Sequence, residues 1–154
     1  MSRSRPPRRA IPPPSPRAQA GSLDSESALA EAYSRNNDGS YAEAAEFFQA
    51  LVERDASGTE TNARTAEYLA NQALQESNQK NFAAAETLFA RASTPAALGD
   101  PITGRLLRNF YAIHQLNEGK VDKAIAELDK PVVSVKATGA ADAALASGQI
   151  TPAV

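Results

Sequence analysis

Cysteine and tryptophan are absent from this 154-residue chain, histidine occurs once, and aromatic residues make up only 6%. Without cysteine there is no disulfide framework, no thiolate zinc site and no cysteine nucleophile. The single His114 argues against an all-histidine metal site or a histidine relay. Long apolar runs are lacking as well: none approaches the ~20 residues that a spanning helix needs. What the chain has instead is alanine, 32 residues, which is half of its 42% hydrophobic share. So much alanine and so few rings point to helices packed closely side by side. The length allows one domain with tails.

The net charge of −2 hides an asymmetry. Arg3, Arg5, Arg8, Arg9 and Arg17 precede the first acid, Asp24, so residues 18–154 carry −7. Six of the ten prolines lie among those arginines. Residues 1–22 are therefore expected to form a disordered Arg/Pro-rich leader. Clustered guanidinium groups can pair with phosphate, but no aromatic residues are interleaved for base stacking, which argues against nucleic acid as the partner. Ala18-Gln19-Ala20 has the small-x-small form of a signal peptidase site without the apolar stretch such a signal requires. The expected location is cytoplasmic, with export as the alternative if the start codon is misassigned upstream of that triplet. Residues 132–154 are mostly small and read as a flexible tail or linker.

Between these ends lies an internal repeat. Residues 32–48, 73–89 and 112–128 align without a gap: Ala32 with Ala73 and Ala112, then Asn37, Asn78 and Asn117, then Tyr41, Phe82 and Val121. Ala44, Ala85 and Ala124 follow, and after them Phe48, Phe89 and Leu128. The offsets of 41 and 39 residues fall in the range of helical solenoid repeats. Each copy predicts a helix, a tight Asn/Gly-rich turn and a second helix, with small alanines letting the paired backbones approach. Pro95 and Pro101 are expected to punctuate the loop between the second and third copies, and Pro131 to end a last helix over 121–130.

A small residue in the first helix, a short turn and then [YF]xxAxxx[FL] in the second resembles the tetratricopeptide (TPR) repeat, over about residues 24–131. The usual tryptophan is missing, alanine stands where the first-helix glycine is common, and the period exceeds 34, so a HEAT-like repeat stays open. The expected fold is all-α: a right-handed superhelical solenoid of three TPR-like repeats, about 24–56, 60–94 and 101–131, in a domain spanning 23–131, with disordered termini. More loosely, the phrases Arg108-Asn109-Phe110, Ile113-His114-Gln115-Leu116-Asn117 and Leu128-Asp129-Lys130-Pro131-Val132 resemble the TPR region ahead of the caspase-like peptidase of bacterial CHAT-domain proteins. That peptidase uses a His and Cys pair, which this chain does not supply.

The resemblance implies a noncatalytic scaffold that binds a protein or peptide on the surface lined by the first helices, with no cofactor, no metal, no small-molecule substrate and no membrane. The polar candidates on that surface are Glu67, Asn71, Asn78, Arg105, Asn109 and Asn117. The alternative is a truncated regulatory module of a CHAT-type protease. His114 is expected to be a packing or surface residue, and the acid pairs Glu43 with Glu46 and Asp122 with Glu127 to be solvated faces. Val121, Ile125 and Leu128 leave the last helix without a polar outer face, which opens self-association through the carboxy-terminal repeat.

Overall fold

The computed structural model describes residues 7–55 and 62–131, and all regular structure among them is helical. The order is α1 Pro16–Ser22, α2 Ser25–Asn37, α3 Tyr41–Asp55, α4 Ala63–Asn78, α5 Phe82–Ala92, α6 Pro95–Gly99, α7 Pro101–Asn117 and α8 Val121–Leu128. Among the described residues no helix is long and apolar enough to cross a membrane.

Short polar side chains start the helices. Asp24, Asn62, Thr94 and Asp100 each accept the backbone N–H three residues on, at the heads of α2, α4, α6 and α7. Each satisfies a donor that the first helical turn leaves unpaired. Pro95 and Pro101 are the first residues of α6 and α7, so they begin helices where a plain loop was expected. At the first helical position the missing N–H of proline loses nothing, and its fixed φ favours the helix.

α2 with α3, α4 with α5 and α7 with α8 form three hairpins with one shared turn. The first helices end at Asn37, Asn78 and Asn117, and the second begin at Tyr41, Phe82 and Val121. Two residues beyond each Asn the backbone is left-handed: Gly39 at φ 77°, Lys80 at 66° and Gly119 at 79°. The next N–H bonds back to the carbonyl five residues earlier, Ser40 to Arg35, Asn81 to Glu76 and Lys120 to Gln115, at 2.8–2.9 Å. This closure satisfies carbonyls that the helix end would leave open.

Alanines fill the contact between the helices of each hairpin. Ala32, Ala73 and Ala112 are buried on the first helices, as are Ala44, Ala85 and Ala124 on the second. Phe47, Phe48, Leu51, Tyr68, Leu69 and Phe89 occupy the core beside them. Tyr33 meets Phe48 edge to face at 5.6 Å, and Tyr111 meets Phe89 at 5.4 Å. Such pairs add to what burial alone contributes.

The two junctions between hairpins differ. α3 packs along α4, whereas α7 lies mainly against α4 and touches α5 only sparingly. α6 stands beside α7, where Gly104 permits close approach: a Cβ there would sit 2.6 Å from the carbonyl oxygen of Leu98.

Two boundaries depart from the sequence expectations. Residues 16–22 of the expected disordered leader form α1, capped by Ser15, with Ala20 buried, Arg17 paired to Glu53 and Arg54 bonded to the Ala20 carbonyl at 2.8 Å. The Ala18-Gln19-Ala20 triplet lies within that helix. Pro16 stands at the head of α1, where it favours a helix, so the proline content misled. The last helix ends at Leu128, two residues short of the expected bound. The expectation for residues 132–154 lies outside the described residues.

Candidate functional site

The polar residues singled out from sequence lie on two of the three first helices, Glu67, Asn71 and Asn78 on α4 and Arg105, Asn109 and Asn117 on α7. Asn109 and Asn117 are exposed, and Glu67, Asn78 and Arg105 are half-buried. Asn71 was expected among the exposed residues and is instead buried, its amide donating to the Glu67 carbonyl one turn back at 2.9 Å. The regular helical spacing that placed it on the first-helix surface could not say that Tyr33 of the preceding hairpin would lie over that part of α4. Tyr33 Oη donates to Glu67 Oε1 across the first junction at 3.4 Å. Asn78 and Asn117 come together at the turn end, where Asn117 donates to Asn78 at 3.1 Å and to Ser77 Oγ at 3.0 Å. Arg105 and Asn109 share a shallow depression on α7 with Ile102 and Phe110.

His114 is fully buried between α4, α5 and α7, with Phe82, Phe89 and Tyr111 ringed around it at 5.4–5.9 Å. Its Nδ1 lies 2.8 Å from Ser77 Oγ, and its Nε2 lies 2.9 Å from Glu86 Oε1 and 3.0 Å from Glu118 Oε1. Ionised carboxylates only accept, so the contact with Glu86 requires a proton on Nε2, and Glu86 also accepts the Tyr111 hydroxyl at 2.9 Å. Burial, together with the Glu86 carboxylate, pushes the Tyr111 phenol up to about 12, so it remains a donor. Glu118 is held below the usual carboxylate range by its hydrogen bond to Lys120, with a smaller contribution from His114.

A Ser, His and Glu in contact are the parts of a nucleophilic relay, and sequence spacing gave no sign of them, because they come from three helices. Here Ser77 is 1% exposed and its oxygen also takes the Asn117 amide, so no substrate carbonyl can reach it. The arrangement is a buried polar network in which each ring nitrogen has a partner. Glu86, His114 and Glu118 are also the group whose ligand atoms converge, all within 4.8 Å of one another, and they are the residues a metal ion would use.

Of the acid pairs, Glu43 binds Arg35 at 3.1 Å and Glu127 binds Lys130 at 2.7 Å, while Asp122 is exposed and Glu46 is half-buried. On α8, Val121, Ile125 and Leu128 are about half exposed, and only Ala124 is buried. No family model, curated protein or solved structure matches this chain.

Proposed function

We propose that this chain is a noncatalytic protein-interaction scaffold: a right-handed superhelical solenoid of three TPR-like repeats that binds a peptide or partner protein on the surface of α2, α4 and α7. The observation that carries it is the recurrence of one hairpin down to side-chain detail. Gln75 and His114 occupy the same position of the second and third copies, and each reaches back to the same position of the copy before. Gln75 bonds Asn36 at 2.9 Å, and His114 bonds Ser77 at 2.8 Å. Hairpins that repeat the same side-chain contact to the copy before can build an extended surface, and such surfaces grip partners through side chains alone. Glu67, Arg105, Asn109 and Asn117 are the contact residues on it, with Asn78 at its turn edge.

Peptide display against the full chain tests this. Selected peptides should share a pattern and lose about tenfold or more in affinity on Arg105→Ala or Asn109→Ala. Substitutions at Glu46 or Asp122, on the second helices, should leave binding unchanged. Failure to enrich any family of peptides, or insensitivity to the first-helix substitutions, would overturn the assignment.

The apolar face of α8 favours a second reading, in which the repeats are the regulatory module of a CHAT-type protease-like protein. Val121, Ile125 and Leu128 would then lie against a further unit. Reading the source DNA beyond the codon for Val154 for a domain bearing His and Cys decides between the two.

A further inference from the structure

The open side of the second junction holds a pocket of about 510 Å³, walled by Phe89 of α5, Leu98 of α6, Leu107 and Tyr111 of α7, and Pro131 after α8. Its volume and its mainly apolar walls with a few polar groups are those of small-molecule sites. Four charged side chains besides Arg108 line it, and each has its own partner. Glu86 is held by Tyr111 and His114, Asp100 caps α7 through the Thr103 N–H, and Glu127 and Lys130 bind each other.

Arg108 differs. It is 8% exposed and lies on the pocket wall, yet among the described residues no carboxylate lies within 4 Å of it. Its terminal nitrogens make two long hydrogen bonds, to the Lys130 carbonyl at 3.3 Å and the Asn109 side chain at 3.4 Å, and its Nε has no acceptor among the described residues. A buried guanidinium is costly to leave without a counter-charge, and its planar fork matches a carboxylate.

We propose that this pocket binds a small organic anion, a carboxylate on an apolar body, with Arg108 as its counter-ion. The head group pairs with the part of the Arg108 guanidinium that borders the pocket, and the apolar body lies against Phe89, Leu98 and Leu107. None of its lining residues is among the contact residues assigned to the scaffold surface, so it is a separate site.

Calorimetric titration of the full chain with decanoate, and with decanol as the uncharged control, tests the assignment. Decanoate should bind with one site and about tenfold or more tighter than decanol. Arg108→Gln should remove that preference. Ala90→Phe, an exposed wall position whose added ring intrudes on the pocket without touching the core, should weaken both ligands. Decanoate binding no tighter than decanol, or binding unmoved by both variants, would overturn the site. A third arm compares a tetrapeptide ending in Leu as free acid and as amide. If the free acid binds tighter than decanoate and the amide does not bind, the occupant is a peptide terminus, and the small-molecule assignment is wrong.

Discussion

Lys80 holds in the second turn the left-handed position that Gly39 fills in the first, at φ 66° against 77°. A side chain there crowds the following carbonyl, whereas glycine has nothing to crowd. The turn hydrogen bonds are the same in both, so the hairpin geometry overrides the local preference of the residue.

Lys80→Gly is therefore expected to raise stability by about 0.5–1 kcal/mol, after allowing for the greater freedom of glycine in the unfolded chain. Gly39→Ala and Gly119→Ala should each lower it by about 1–2 kcal/mol. Urea midpoints measure all three. A lower midpoint for Lys80→Gly would count against a strained second turn.

Ser77→Ala removes the hydroxyl that joins His114 to Asn117 inside the second junction. A buried ring nitrogen would be left without its partner, and the expected loss is about 1–3 kcal/mol. Ser34, the residue of the first copy aligned with Gln75 and His114, is exposed and bonds nothing across a junction, so Ser34→Ala should change the midpoint by less than about 0.5 kcal/mol. Equal effects at both sites would mean that the junction network contributes nothing of its own.

Gly104→Ala places a methyl 2.6 Å from the Leu98 carbonyl, a backbone atom that cannot swing aside. α6 must move off α7, at an expected loss of about 1–3 kcal/mol. The shift also changes the wall of the pocket, so decanoate affinity should fall together with stability. Calorimetry and urea unfolding on the same variant check this, and an unchanged midpoint would show that α6 is not packed as described.

Asp24 and Asp100 are held below the ordinary aspartate value of 3.8, chiefly by the backbone N–H groups of Ser27 and Thr103 that they cap. A depressed carboxyl contributes stability that is fully present above its unfolded value and is lost as pH falls through the folded one. Wild type should thus exceed the Asp24→Asn, Asp100→Asn double variant at pH 6, and the gap should close between pH ~4 and pH ~2. Urea midpoints across that range give the answer. A gap that stays constant with pH would exclude the carboxylates as its source.

Much of the hairpin framework was legible because its determinants are local. An Asn, a left-handed residue two later and an apolar residue at the head of the second helix lie within five positions of one another, so the periodic columns fell on true helix ends. The His114 network was not legible, since Ser77, Glu86 and His114 meet only when three helices stack. α1 is not legible for a different reason: the abundance of proline in residues 1–22 points to disorder, whereas the effect of proline depends on position, and Pro16 stands where a helix accepts it. The Arg108 pocket follows from how far α7 stands from α5, and no spacing in the chain encodes that distance.

The uneven junctions also bear on how the molecule opens. The main core cluster draws on α1 to α5 and takes little from the third hairpin, where α8 buries Ala124 alone. Resistance to local unfolding must then be graded along the chain, high in α3 and α4 and low in α8. Amide protons of α8 will exchange through the hairpin lifting from α4 while the first two hairpins remain closed. Among the described helices, proteases will cut first in the third hairpin, long before the first two unfold.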